Sequence, residues 1–98
     1  MKYVETKTAL RDKAKIKSMS PASRKRFEDL IKDILKQPRE INTIGKPEKL
    51  KYTELEMWSR QTSKGNRIVY GIEPGSEYGF TDSEIIVFYQ YLKHYSDK

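Results

Sequence analysis

The chain contains no cysteine and a single histidine among its 98 residues. Without thiols it cannot form a disulfide scaffold, a cysteine-ligated zinc site, an iron–sulfur cluster or a thiol nucleophile. One imidazole cannot build a multi-histidine metal site. We therefore expect neither a metal nor another cofactor. Because small secreted domains commonly rely on disulfides, their absence favours a reducing compartment, and we predict a cytoplasmic protein.

Long apolar runs are also lacking. None approaches the roughly 20 residues that a membrane-spanning helix needs, and residues 1–13 contain no apolar core of a signal peptide. The sequence therefore predicts no membrane association. The length corresponds to one domain, residues 1–98, and excludes a two-lobed enzyme or a full dinucleotide-binding fold.

Positive charge is in excess, and it is unevenly distributed. The formal net charge is +6. Residues 1–51 carry 15 basic and 7 acidic side chains, whereas residues 52–98 carry 5 and 7. Such an imbalance favours an anionic partner, which could be nucleic acid, a membrane surface or an acidic peptide. A basic surface that only keeps a small domain soluble is the plainer interpretation.

Hydrophobic periodicity predicts helices first and strands afterwards, which is typical of the α+β class. Residues 2–7 could form a short strand, and a helix capped by Thr8 is expected to run to about residue 18. A second helix should begin after Ser20, with Pro21 at its first position, and end before Pro38.

In the second half of the chain, the pattern of apolar and polar residues is typical of strands. Residues 55–61 and 67–73 should form a hairpin around the turn 62–66, and residues 84–93 should form an internal strand. The predicted fold has two N-terminal helices on one face of an antiparallel sheet of about four strands. The other face carries polar side chains at alternate positions and is free to bind a ligand.

Several ionisable residues could together cleave RNA without a metal. Such cleavage needs a base for the 2′-hydroxyl, a cation for the transition state and an acid for the departing 5′-oxygen. Glu48, Arg67 and His94 can supply these groups. Lys51 and Arg60 can hold phosphate, since we expect Arg60 to lie near Arg67 across the hairpin. Each residue also has a plainer interpretation as a solvated strand arginine, a surface ion pair or a surface histidine.

Four motifs, taken in order, are more specific than any one of them. GKPEKLK at 45–51, WSR at 58–60, NRIVY at 66–70 and HY at 94–95 together resemble the YoeB/Txe toxins of bacterial toxin–antitoxin modules, within the RelE-like superfamily. The resemblance covers most of the chain. It implies a RelE-like fold and a ribosome-dependent endoribonuclease, an mRNA interferase that cuts message in the ribosomal A site and so inhibits translation.

The resemblance also implies roles for individual residues and a set of partners. The expected general base, transition-state cation, general acid and site-shaping tyrosine are Glu48, Arg67, His94 and Tyr95. The expected phosphate-binding residues are Lys46, Lys51 and Arg60. A cognate antitoxin, the ribosome and mRNA are the implied partners, and some relatives are homodimers. Gln61 departs from the pattern, because family members commonly have a second arginine there.

Two further hypotheses remain open at this point. The basic half of the chain, with Tyr89 and Tyr91 available to stack on bases, would also suit a non-catalytic module that binds RNA or the ribosome. Alternatively, the chain could be an inactive partner that only binds an antitoxin. A metal-dependent nuclease is not expected, because no paired-carboxylate pattern for Mg²⁺ is formed by the scattered Asp12, Asp29, Asp33 and Asp82.

Overall fold

The structure is a computed structural model of the chain, and it describes residues 1–51, 54–63 and 65–92. Within these ranges seven helices and strands follow one another, with a 3₁₀ helix at Gly75–Tyr78 before the last of them. They are β1 (Tyr3–Glu5), α1 (Lys7–Ile16), α2 (Pro21–Lys36), β2 (Glu48–Lys49), β3 (Glu56–Ser63), β4 (Asn66–Pro74) and β5 (Glu84–Gln90).

The five strands form one sheet in the order β1-β5-β4-β3-β2. Neighbouring strands run antiparallel except at one edge, where β1 runs parallel to β5. The predicted α+β fold with helices on one face is confirmed. The sheet has five strands rather than about four because a short segment joins it at each edge. As predicted, β5 is an internal strand.

The first helix begins earlier than predicted. Its N-cap is Thr6 rather than Thr8, because the Thr6 hydroxyl accepts a hydrogen bond from the N–H of Ala9 at 3.1 Å. The same hydroxyl donates to the carbonyl of Tyr89 at 2.9 Å. This second bond connects the start of α1 to β5, which local sequence patterns do not reveal.

The second helix follows its prediction closely. The Ser20 hydroxyl accepts from the N–H of Ser23 at 3.2 Å, and Pro21 occupies the first turn. The helix ends at Lys36, just before Pro38. Its apolar face packs against the sheet, since Leu30 and Ile34 are fully buried beside core residues of the strands. Those core residues of the sheet are Trp58, Ile68, Tyr70, Ile72, Ile86 and Phe88.

An ion-pair network ties two strands to the segment after α2. The Arg39 guanidinium donates to both carboxylate oxygens of Glu56, at 2.7 and 2.8 Å, and to Glu84 at 2.9 Å. The indole N–H of Trp58 donates to Glu56 at 2.9 Å. The hydrogen bonds from Arg39, helped by that of Trp58, lower the pKa of Glu56 to about 2 despite its partial burial.

This low pKa predicts how stability depends on pH. The unfolded pKa of a glutamate is about 4.3, so the Glu56 contribution is complete above that value and is lost as pH falls through about 2. We expect Glu56→Gln to lower the free energy of unfolding at pH 7 by about 1–2 kcal/mol, because the half-exposed Arg39 is partly screened. Urea denaturation of wild type and Glu56→Gln between pH 7 and pH 2 measures this difference in the free energy of unfolding.

The loss caused by Glu56→Gln should shrink as the pH falls through that range. The exposed Glu77 provides a matched control, since Glu77→Gln removes the same charge outside the network. Equal stability curves for the two variants would contradict a stabilising role for the Arg39 network.

None of the helices within the described ranges has the length and apolar character of a membrane span.

Candidate active site

The sheet face turned away from the helices, here called the outer face, carries the candidate site. Side chains alternate between faces along a strand, and Trp58, Tyr70 and Phe88 fix the parity of the inner face. Ser59 and Arg67 therefore lie on the outer face. Glu48 is paired with Ser59 across β2 and β3 and joins them there.

The structure brings Glu48 and Arg67 into contact. Arg67 Nη1 lies 3.0 Å from Glu48 Oε1, across 19 residues of sequence. The same nitrogen is 3.4 Å from the hydroxyl oxygen of Ser59. A carboxylate, a guanidinium and a hydroxyl thus meet at one point, and this geometry suits proton abstraction beside a bound anion.

The Glu48–Arg67 pair is accessible to a ligand. The two side chains are 59% and 43% exposed. A surface ion pair of this kind contributes little to stability, typically less than about 1 kcal/mol. A phosphate group can therefore take the place of the carboxylate on Arg67 without a large structural cost.

The loop that carries Glu48 is held in position by a glycine. A Cβ atom at Gly45 would lie 2.5 Å from Cδ2 of Leu30 and 3.1 Å from Cβ of Arg60, and the residue has φ +86°. Only glycine fits this close approach and this backbone conformation. The carbonyl of Gly45 also accepts from the N–H of Gln61 at 2.6 Å, so the loop is fixed to β3 immediately before Glu48.

The lysines around Glu48 are exposed. Lys46 directly precedes Pro47, and Lys49 and Lys51 follow Glu48 within three residues. Lys46 lines a cavity of about 290 Å³ next to the site, together with Gln61. Lys49 is paired with Trp58 and so occupies a position of inner-face parity. The positive field around Glu48 thus comes from both faces of the sheet edge.

The predicted neighbourhood of Arg60 and Arg67 is wrong. Arg60 is paired with Ile68, and Arg67 is paired with Gln61, so the two arginines lie on opposite faces. A β-bulge between residues 61 and 63 shifts the register by one residue. The predicted turn at 62–66 already pairs residue 61 with residue 67, so the expectation failed on strand parity and not on the register beyond the turn.

Arg60 is buried, and its two terminal nitrogens bond to protein groups, whereas its Nε has no hydrogen-bond partner among the described residues. Its side chain is 0% exposed and its Nη1 lies 2.6 Å from Oδ2 of Asp33. The guanidinium also donates to the carbonyls of Ile44 and Gln37, each at 3.1 Å. In this position Arg60 cannot contact an RNA phosphate, so the phosphate-binding role predicted for it does not fit the structure. It instead joins α2 and the Gly45 loop to β3.

Asp33 is adapted to its buried partner. Burial alone would raise the pKa of Asp33, but hydrogen bonds from Arg60, Gln37 and Thr43 outweigh that effect and lower it. The carboxylate therefore stays charged opposite the guanidinium, as a buried ion pair requires.

The predicted acid, His94, and the neighbouring Tyr95 lie outside the described residues. The described chain ends at Leu92, and the last pair of the β4–β5 ladder joins Val69 to Gln90. Val69 is two residues from Arg67 along β4. The chain thus leaves the sheet close to the Glu48–Arg67 pair.

Asp12 holds the backbone at the end of the described chain, and the sequence analysis did not find this contact. Its buried carboxylate accepts hydrogen bonds from the N–H groups of Tyr91 and Leu92, at 2.9 and 3.2 Å. The signal was present, because Asp12 lies three and four residues from Ala9 and Ile16 on the apolar face of α1. A carboxylate on an apolar stripe needs a buried partner. Ser59 was missed for a different reason, since its face depends on the strand register.

The structure separates the two tyrosines proposed to stack on bases. Tyr91 is buried, its ring lies 4.8 Å from that of Phe27, and its hydroxyl donates to Glu5 at 2.6 Å. Tyr89 belongs to the outer face, where its hydroxyl donates to Glu73. Burial and then the hydrogen bond to Glu73 raise the pKa of Tyr89. A stacking surface made from both rings is therefore wrong.

Within the part of the chain that the structure describes, no three histidine or acidic side chains converge in a way that could hold a metal ion.

Solved structures with the same fold define the class. The "YoeB/ParE toxin" of Agrobacterium tumefaciens superposes with TM-score 0.75 at 26% identity, over 97% of this chain and 100% of that one. The YoeB dimer of Staphylococcus aureus gives 0.70 at 25% identity, over 97% and 98%. The RelE of an archaeal RelE–RelB complex from Pyrococcus horikoshii gives 0.66 at 15% identity, over 99% and 97%, and shares the fold alone. The architecture is that of the RelE-like toxins.

Comparison of the sequence with protein families then identifies one family within this class. The profile of the YoeB-like toxins of bacterial type II toxin–antitoxin systems matches residues 6–95, and the chain belongs to this family. No individually curated protein matches the chain.

Proposed function

We propose that the protein is a ribosome-dependent endoribonuclease that cuts mRNA in the A site and thereby inhibits translation. The contact between Glu48 and Arg67 on the accessible outer face is the observation that carries this proposal. Family membership supports it, since the chain is a YoeB-like toxin. The basic excess of residues 1–51 supports a polyanionic substrate.

The proposed reaction is a transfer of two protons around one phosphate. Glu48 accepts the proton of the 2′-hydroxyl, and the 2′-oxygen attacks the adjacent phosphorus. Arg67 binds the non-bridging oxygens, on which negative charge develops. The bond to the 5′-oxygen breaks as His94 donates a proton to that oxygen. The products are a 2′,3′-cyclic phosphate and a free 5′-hydroxyl, and the proton balance closes without a metal.

The remaining residues bind RNA phosphates or shape the site. Lys46 and Lys51, both exposed beside Glu48, hold phosphates on either side of the cut, and Tyr95 shapes the site around the leaving group. Arg60 acts through Asp33 and the Gly45 loop and does not touch RNA. The protein works in the cytoplasm, where its substrate is translated.

Structures of relatives support two kinds of partner, an antitoxin and a second copy of the chain. The YoeB of Staphylococcus aureus has been solved as a dimer and in a heterotetrameric complex with the antitoxin YefM. We propose that this chain likewise binds a cognate antitoxin that blocks the outer face, and that it also forms homodimers.

The experiment is primer extension on a defined mRNA in a reconstituted translation system. Wild-type protein should produce codon-phased cuts only when ribosomes are present. His94→Ala should reduce cutting by at least about 100-fold, because a general acid contributes that much or more. Ser96→Ala, in the same segment, should cut like wild type.

Two outcomes would contradict the proposal. Unreduced cutting by a soluble His94→Ala variant would exclude this residue as the acid. Absence of cutting by pure, antitoxin-free wild type would favour the non-catalytic RNA- or ribosome-binding module instead.

A further inference from the structure

The cavity that Lys46 and Gln61 line opens beside the candidate active site. It has a volume of about 290 Å³ and lies between α2, the Gly45 loop and the distal part of β3. Its lining consists of Arg26, Gly45, Lys46, Gln61, Thr62 and Ser63. It adjoins the catalytic pair from two directions, because Lys46 is two residues from Glu48 and Gln61 is paired with Arg67.

The lining carries two positive charges and no carboxylate. Within the described ranges no acidic side chain lies within salt-bridge distance of Arg26 or Lys46. Two other cations nearby are paired, Lys25 with Asp29 at 2.7 Å and Arg67 with Glu48 at 3.0 Å. What sets Arg26 and Lys46 apart from the remaining exposed cations is that both line the same cavity. Arg26 makes one long hydrogen bond, from Nε to the carbonyl of Thr62 at 3.4 Å.

Two cations on the wall of one cavity, with no acidic partner among the described residues, favour an anion between them. The planar guanidinium of Arg26 matches two oxygens of a phosphate, and the ammonium of Lys46 adds a point charge. The hydroxyls of Thr62 and Ser63 and the amide of Gln61 add donors to the same wall. The chemistry of the cavity is thus that of a phosphate site.

We propose that this cavity binds a backbone phosphate of the RNA substrate next to the phosphate that is cut, with Arg26 as a binding residue. The inference rests on the proposed function for its ligand, because the cavity adjoins the Glu48–Arg67 pair at which the RNA would be cut. Arg26 comes from α2, outside the motifs of the strands and of the Gly45 loop.

Binding of an uncleavable RNA tests the site separately from catalysis. The probe is a short, labelled, single-stranded 2′-O-methyl RNA, and affinity is measured by fluorescence anisotropy over a series of salt concentrations without ribosomes. Arg26→Gln should weaken binding by about 3- to 10-fold and reduce the slope of log K against log salt by about 0.7, the value for one phosphate contact on a single strand.

Lys32→Gln is the matched control. Lys32 is an exposed cation of the same helix that does not line the cavity, so this variant removes the same charge from the general field alone. Its affinity should change by less than about 2-fold. Equal effects of Arg26→Gln and Lys32→Gln, in variants with wild-type melting temperatures, would overturn the proposal.

A neutral linkage identifies the ligand as a backbone phosphate. Methylphosphonate is introduced at one position of the RNA at a time, and one position should weaken binding to wild type but not to Arg26→Gln. If no position does so, the RNA-phosphate assignment fails, and displacement of the RNA by millimolar inorganic phosphate would then identify a free-anion site instead. Loss of cleavage in the translation assay with this pattern intact would refute the catalytic proposal only.

Discussion

Glu48→Gln is expected to lower ribosome-dependent cleavage by at least about 100-fold, the usual contribution of a general base. The amide keeps the size of the side chain but cannot accept the proton of the 2′-hydroxyl. RNA binding should be retained or become stronger, because Arg67 loses the carboxylate that occupies it at 3.0 Å. Primer extension measures the first quantity and anisotropy with uncleavable RNA the second.

Opposite changes in cleavage and binding would separate a base from a residue that only holds the substrate. Glu54→Gln is the control, since it removes the same charge from an exposed position before β3. Parallel losses of cleavage and binding in Glu48→Gln would contradict the role of base and would instead place Glu48 among the residues that shape the loop.

Arg60→Met is expected to lower the free energy of unfolding by about 3 kcal/mol or more. The substitution removes the only positive charge found within 4.0 Å of Asp33 in the described ranges. It also removes the donors of two carbonyls, on Ile44 and Gln37. Urea denaturation at pH 7 measures the effect.

A double variant distinguishes an unpaired charge from lost packing. Adding Asp33→Leu to Arg60→Met removes the stranded carboxylate, and we expect much of the stability to return, because a buried ion pair replaced on both sides by apolar groups is often neutral. If the double variant is as unstable as the sum of the two single variants, the pair does not act as a unit. A fully stable Arg60→Met would refute the structural role of Arg60.

The secondary structure could be predicted because its signals are local. Ser20 and Pro21 mark the start of α2, and its apolar face follows from helical periodicity. The hairpin also follows from local patterns. The bulge between residues 61 and 63 was not predicted, because it depends on how the whole turn packs. The error about Arg60 was one of parity, since residues 60 and 67 lie on opposite faces when residue 61 pairs with residue 67.

The site could be predicted by residue type but not by geometry. Glu48 and Arg67 follow from the requirements of acid–base cleavage and from the family motifs. Their contact depends on Gly45, whose missing side chain lets the loop approach Leu30. Arg26 could not be predicted, because a cation on an exposed helical position resembles its neighbours until the fold shows which cavity it lines.

The hydrogen bonds that the backbone N–H groups of Tyr91 and Leu92 donate to Asp12 span 79 and 80 residues. β5 lies between β1 and β4, and both of its neighbours are synthesised before it. During translation the strands on both sides of β5 are therefore made before β5 itself, and the sheet cannot close until β5 follows. Contacts of such long sequence separation form late in folding. The sheet is thus completed only when almost all of the described chain has been made.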